Sequence, residues 1–281
     1  MAENTKNAEI AFFGGSFTAI DRDYMLSLLQ TTENYIDKFK GIRISTRPDC
    51  IDDEILEILK TYGVTSIELG AQSMDDVVLN ANNRGHSASD VVKASHMIKD
   101  YGFSLGLQMM TGLYMSDAYK DIKTAKAFIE LKPDTVRIYP TVIMKDTDLA
   151  DYYLNKAFIP YTLDESVDLC SKLILMFEEA NIAIIRLGLH YSESLVSNSY
   201  GNNYHPAFKE LCENKIFFDR FIDTASKSRV DKNNFKVCIN SKSLSKFLGQ
   251  KKSNYNAFVE MGYNFEIKFD DTLGKYDIYM I

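Results

Sequence analysis

Cysteine and histidine are scarce and scattered in this chain of 281 residues. Cys50, Cys170, Cys212 and Cys238 form neither a CxxC pair nor a dense framework, which excludes a disulfide-stapled scaffold and fits reduced thiols inside a cell. His86, His96, His190 and His205 make no HExxH and no Cys/His pairing, so no zinc site is recognisable and no metal ligand is assigned. No GxGxxG, no P-loop and no GxSxG occurs either. Long apolar runs are also missing. The longest, around Leu173 to Leu189, is interrupted by Glu178, Glu179 and Arg186, and Met1 to Glu9 is polar where a secretory signal would be apolar. A cytoplasmic protein with no membrane role is therefore expected. An excess of positive charge is absent as well: the net charge is -7, so the chain as a whole carries no polybasic signature for nucleic acid or anionic lipid.

What is present is an ordinary globular composition, 46% hydrophobic and 25% charged, at a length that suggests two domains. Short β-rich runs, Glu9–Phe13, Gly41–Ser45, Thr65–Leu69, Ser104–Met109, Thr135–Tyr139 and Ala183–Leu187, alternate with helical periods. The helices are expected over Asp21–Phe39, Asp52–Tyr62, Ala88–Tyr101, Ser116–Leu131 and Leu163–Asn181, with Asp21 as a cap and Gly63 and Gly102 as stops. Crossovers of this length pair strands in parallel, which gives an α/β layered or barrel fold. Around Leu195 the periodicity stops, which divides the chain into residues 1–196 and a smaller α/β domain, residues 197–281. There the pattern gives a helix near Pro206 to Ala225, a strand near Phe235 to Ile239, helical signal from Leu244 to Met261, and a hairpin. The hairpin would pair Asn264–Phe269 with Tyr276–Ile281.

The expected strands end in polar or glycine-containing turns, and the carboxyl edge of parallel strands is where such folds build ligand sites. "EIAFFGGS" ends a strand in Gly14-Gly15-Ser16, where glycine permits backbone angles closed to other residues. By itself a Gly-Gly pair is an ordinary tight turn. "STRPD" adds Arg47, "IELGAQS" adds Glu68, Gln72 and Ser73, and "NNRGH" adds Arg84. Together they describe a polar pocket with both carboxylate and guanidinium, since acidic side chains are rarely buried without a partner. Tyr139, Tyr191 and His190 could face such a pocket, although structural roles are commoner for these types, and Met109-Met110 would fill the barrel interior.

"FFGGSFTAI", "RISTRPD", "IELGAQSMDD", "NRGHS", "MMTGL" and "VRIYPTVIMKDTDLADYY" resemble, in order over Glu9 to Tyr153, the radical S-adenosylmethionine superfamily. The likeness is to the branch containing the catalytic subunit of Elongator and its bacterial relatives. The resemblance implies a partial β/α barrel holding S-adenosylmethionine against a [4Fe–4S] cluster, whose electron releases a 5′-deoxyadenosyl radical. It implies that Gly14, Gly15 and Ser16 contact the methionyl amino group, that Glu68 and Ser73 face the cofactor, and that Arg84 lies at a carboxylate-binding position. Arg137 to Tyr139 would lie beside the adenine. The implied pocket thus comprises Gly14, Gly15, Ser16, Arg47, Glu68, Ser73, Arg84, Gln108 and Tyr139, with no catalytic residue assigned.

The family's CxxxCxxC loop, which supplies thiolates to the cluster, does not occur, because the strand at Glu9 corresponds to the family's second. The barrel would lack its first βα unit, by truncation or as a natural remnant. Truncation is favoured because the pocket turns are complete. The cluster would belong to the full-length protein only, and this chain alone would be inactive. In the tail, eight bases between Lys227 and Lys252, Arg229 among them, face the single acid Asp231. Either this is a solvated face, or a KH-like clamp without its second turn glycine, built from a helix ending at Gly249, a basic turn and a second helix, in which Lys242, Lys246, Lys251 and Lys252 meet the phosphates of tRNA or another RNA. The competing readings are a non-catalytic barrel scaffold or nucleic-acid-binding module and, last, a hydrolase or lyase with Glu68 as base, for which no partner motif exists. Oligomeric state is not legible.

Overall fold

A computed structural model describes residues 5–201, 203–228 and 231–281. Contacts divide the chain into two compact units, Met1–Pro160 with Leu173–Gly201, and Tyr161–Lys172 with Asn202–Ile281.

The first unit alternates strand and helix: β1 (Glu9–Phe12), α1 (Arg22–Thr32), β2 (Gly41–Thr46), α2 (Asp53–Thr61), β3 (Val64–Gln72), α3 (Asp76–Ala81) and α4 (Ala88–Asp100). It continues through β4 (Ser104–Thr111), α5 (Ala118–Leu131), β5 (Thr135–Pro140), β6 (Ile143–Met144), α6 (Asp148–Leu154), α7 (Leu163–Glu179), β7 (Ala183–Leu187), α8 (Glu193–Ser197) and β8 (Ser199–Tyr200). The first ten residues of α7 fall in the second unit. Six strands pair in parallel, in the order β1-β2-β3-β4-β5-β7, to form a curled half-barrel, while β6 and β8 make a separate two-residue ladder. The α/β partial barrel expected from the sequence is therefore the observed fold.

The two faces of the sheet have opposite chemistry. Ile42, Ile44, Ile67, Leu69, Leu105, Leu107, Met109, Val136 and Ile138 are all fully buried, and alternation places them on one face. The intervening positions, Arg43, Ser45, Glu68, Gln108, Arg137 and Tyr139, form a polar inner face. Met109 therefore belongs to the apolar side, and only Met110 shares the face of Gln108. This correction follows from the strict two-residue period of a strand.

Helix starts are set by side-chain caps. Asp21 accepts from the Tyr24 N–H, as expected, and Asp52, Asp75, Ser87 and Asp117 cap the next four helices in the same way. The helix expected to run from Asp21 to Phe39 stops at Thr32, whose hydroxyl donates to the Leu29 carbonyl, and a separate 3-10 turn covers Ile36–Lys38. Gly63 follows α2 with φ 75°, the left-handed stop that glycine supplies.

The second unit contains α9 (Phe208–Ser228), β9 (Phe235–Ile239), α10 (Leu244–Leu248), α11 (Ser253–Glu260), β10 (Phe265–Phe269) and β11 (Ile278–Met280). Phe217, Phe221, Phe247 and Phe258 pack its core, Phe221 stacking on Phe258 with centroids 3.7 Å apart. The expected hairpin is not formed. β10 and β11 both pair with β9, one parallel and one antiparallel, so β9 is central. Its Val237, Cys238 and Ile239 are fully buried and need a strand on each side. The 270–277 connection crosses the end of β9, held by Asn240 Nδ2 donating to the Leu273 carbonyl and Ser243 Oγ to the Lys275 carbonyl. The helical signal from Leu244 to Met261 is likewise broken at Gly249, Lys251 and Lys252, all with positive φ.

Candidate functional site

The inner face of the half-barrel is organised by one carboxylate. Glu68 on β3 is 1% exposed. Its Oε1 accepts from Arg43 Nη1 (3.0 Å) and Arg137 Nη2 (3.0 Å), and its Oε2 from Arg137 Nε (2.7 Å) and Gln108 Nε2 (2.8 Å). Arg43 in turn is bound to Glu9, Nη2 to Oε2 at 2.7 Å. Burial pulls the Arg137 guanidinium downward most strongly, yet the bonds and charge of Glu68 outweigh it and hold Arg137 above its ordinary value. The parallel register explains the convergence: Ser45 lies opposite Glu68, which lies opposite Gly106.

Above this network the strand-end turns enclose two cavities. One, of about 310 Å³, is bounded by Gly15, Ser16, Arg47, Gln72, His86 and Gln108; the other, of about 470 Å³, by Met110, Leu113, Val142, Met144, Asp148 and Tyr152. Asn83 and Arg84 line both. Gly14 has φ 113°, which only glycine adopts readily, and a Cβ there would meet nothing, so its role is conformational. The Gly85 backbone lies against Arg47, whose guanidinium is neutralised by Asp49 (Nε to Oδ1, 3.0 Å) and raised above its usual value by that bond.

Arg84 differs from every other arginine of this wall. Its Nε is buried without a hydrogen-bond partner, its Nη2 faces the Met110 sulfur at 3.2 Å, and it has no ion pair among the described residues. Burial lowers its affinity for the proton, though a guanidinium remains a cation. A half-buried cation without an ion pair among the described residues is costly, which makes Arg84 a candidate contact for an anion.

The expected site residues divide as follows. Gly15, Ser16, Arg47, Arg84 and Gln108 line the 310 Å³ cavity, and Gly14 sits with Gly15 and Ser16 on an adjoining cleft of about 250 Å³. Glu68 lies behind Gln108 and is saturated by donors. Ser73 is buried beside Thr124, accepting from the Asp75 N–H, and does not line the cavity. Tyr139 is half-buried on the inner face of β5, two residues from Arg137. Gln72, expected at the end of its strand, lines this cavity, and so does His86, which sequence reasoning missed. Gln72 takes φ 63° where the pairing of β3 with β4 slips, and His86 places its ring nitrogens 3.2 Å from the Arg84 carbonyl and 3.1 Å from the Ala71 carbonyl. "NNRGH" already carried His86; nothing in the sequence signals the left-handed Gln72.

No group of three or more metal-capable side chains exists among the described residues. Cys170, Cys212 and Cys238 are buried, and burial raises the Cys50 and Cys212 thiols away from the thiolate form an iron–sulfur cluster needs. These residues do not fit a cluster. No helix among the described residues is long and apolar enough to cross a membrane.

In the second unit Lys242, Lys251 and Lys252 are exposed, and the last two form the turn between α10 and α11. Lys246 is directed inward, 3.2 Å from the buried Glu213 carboxylate, which also accepts from Tyr276. Lys227 pairs with Asp223 and Lys236 with Glu266; Arg229 lies outside the described residues.

Comparison with known proteins matches these features. The chain is 30% identical over 190 residues to the tRNA uridine(34) acetyltransferase of Methanocaldococcus jannaschii, covering 59% of this chain and 35% of that protein. It is 28% identical over 198 residues to human Elongator complex protein 3, covering 63% and 36%. It thus spans little more than a third of each relative. Among solved structures, the archaeal Methanocaldococcus infernus Elp3 with an N-terminal deletion superposes with a TM-score of 0.67 at 21% identity, over 82% of this chain and 57% of that one. Escherichia coli coproporphyrinogen III oxidase (HemN) superposes with a TM-score of 0.51 at 16% identity, over 62% and 40%. Two family models complete the picture, Radical SAM superfamily over residues 1–125 and Radical_SAM C-terminal domain over residues 133–217. The chain belongs to the radical SAM superfamily, in the branch that resembles the radical domain of Elongator's catalytic subunit.

Proposed function

We propose that the first unit binds S-adenosylmethionine across the two cavities that meet at Arg84. The observation that carries this reading is the half-buried Arg84 guanidinium on their common wall, whose Nε has no hydrogen-bond partner and which has no ion pair among the described residues. A methionyl carboxylate supplies the missing anion, and the apolar part of the larger cavity, around Met110, Val142 and Tyr152, suits an adenosyl ring. Gly15 and Ser16 bring main-chain groups to the opposite end, and Gly14 makes that turn possible. Bound S-adenosylmethionine supplies radical chemistry once it is reduced; the residues of this chain bind and orient it.

The described residues offer no donor set for the [4Fe–4S] cluster that such chemistry requires, so the role proposed for them is to bind and orient the cofactor. RNA, tRNA in particular, is the substrate class, supported by relatives named for tRNA uridine(34) and Elongator. Lys242, Lys251 and Lys252 are the phosphate contacts, and the cytoplasm is the site of action. Isothermal titration of the chain with S-adenosylmethionine tests the pocket. Binding that is lost in Arg84→Gln supports it, and no heat from the unaltered chain rejects it. A second reading is a barrel that binds ligand or RNA without radical chemistry. Reconstitution with iron and sulfide on the native upstream sequence separates the two through iron–sulfur absorbance.

A further inference from the structure

Gln108 lines the smaller cavity, and its amide is oriented from behind. Nε2 donates to Glu68 Oε2 at 2.8 Å and to Ser45 Oγ at 3.3 Å. An ionised carboxylate only accepts, so the flipped amide would set two oxygens against each other at the same distance. The nitrogen therefore faces Glu68, and the carbonyl oxygen Oε1 is the group left for a ligand. Glu68 cannot turn to follow the amide, because Arg43 and Arg137 hold both of its oxygens and its Cγ packs on the bare backbone of Gly106.

The same cavity already contains one cation without an ion pair among the described residues, Arg84, whose Nε has no hydrogen-bond partner. An acceptor and an uncompensated cation on one wall select a ligand group that carries both an N–H donor and an anion. An α-amino acid end has both.

We propose that Gln108 is a specificity-determining residue, presenting its carbonyl oxygen to the ligand's ammonium, and that Glu68 is the positioning residue that fixes the amide in that sense. This rests on the cofactor reading above and deepens it. It also removes Glu68 from the ligand surface, since its acceptor capacity is spent within the protein.

The test is titration calorimetry of the full chain with two probes, S-adenosylhomocysteine, which has the amino acid end, and 5′-methylthioadenosine, which lacks it. Gln108→Leu should weaken S-adenosylhomocysteine by about tenfold or more, the worth of a hydrogen bond to a charged group, while leaving 5′-methylthioadenosine unchanged. Glu68→Gln, which can donate to the amide oxygen and reverse it, should lower the same selectivity ratio. The double variant should lose no more than Gln108→Leu alone, the non-additive result expected of one coupled pair. Should Glu68→Gln fail to fold, the Gln108→Leu ratio decides alone. Equal losses for the two probes, or no loss for either, overturn the proposal. Absence of binding to the unaltered chain overturns the cofactor reading instead, so the two failures are told apart.

Discussion

Glu68 packs on Gly106 so closely that a Cβ added at Gly106 would lie 2.7 Å from Glu68 Cγ and 3.0 Å from Thr135 Oγ1. The Glu68 side chain cannot give way, since its carboxylate is pinned by two arginines and an amide. Gly106→Ala should therefore destabilise the protein by about 1–3 kcal/mol, the usual cost of overpacking. Urea unfolding measures it. A midpoint equal to that of the unaltered chain would show that the network is more compliant than its bonding implies.

Two arginines of the same unit should respond in opposite ways. Arg84→Met removes a half-buried cation that has no ion pair among the described residues, so the ligand-free protein should be as stable as before or more so, while affinity for S-adenosylhomocysteine falls at least tenfold. Arg137→Met breaks a largely buried pair with Glu68 and should cost about 3 kcal/mol. Thermal melts with and without ligand resolve the contrast. A large loss of ligand-free stability in Arg84→Met would mean that the side chain has a partner of its own.

Much of this was legible in the sequence, for physical reasons that also mark where legibility stops. The six barrel strands and their longer helices announce themselves by period, and the convergence of Gly15, Ser16, Arg47 and Arg84 follows from their lying beyond strand ends, while Gln108 reaches the cavity from the inner face of β4. α3 and α6, at six and seven residues, are too short to show a stripe. The partners of Glu68 were hidden because they depend on register between parallel strands, which no spacing encodes. The basic turn after Gly249 was legible, but the left-handed backbone of Lys251 and Lys252 was not, because lysine does not advertise it. The hairpin at the carboxyl end failed for another reason: turn residues between two strands say that the chain reverses, not that the strands become neighbours.

The loop carrying Arg84 and His86 ends at a capping box, in which Ser87 Oγ accepts from the Asp90 N–H while Asp90 Oδ2 accepts from the Ser87 N–H. The Ser87 hydroxyl first, then the Ser87 N–H, hold the Asp90 carboxyl below its usual value. A carboxylate depressed in the folded state contributes stability that is present above its unfolded value and lost as pH falls through the folded one. Acidification should therefore loosen the start of α4 while the strands persist, and Ser87→Ala, which removes the hydroxyl but keeps the N–H, should weaken that dependence at a cost of about 1 kcal/mol. Amide exchange of Ser87 to Asp90 as a function of pH reads it. Exchange that is independent of pH in the acid range would contradict the assignment.

The lysines of the second unit separate a phosphate surface from a structural one. Lys251 and Lys252 are exposed and without ion pairs among the described residues, whereas Lys246 neutralises a Glu213 carboxylate that is only 7% exposed. If tRNA is held through its backbone by this turn, replacing Lys251 and Lys252 with Ala should lower the slope of log affinity against log salt by about 1.5 to 2, because two fewer counterions are released. Lys246→Ala should instead lower the melting temperature, with the salt slope reduced by less than one unit. Filter binding at several salt concentrations, together with a thermal melt of each variant, distinguishes the two groups. An unchanged slope for the Lys251 and Lys252 double variant would move the RNA contact off this turn, and would do so without touching the case for the barrel cavity.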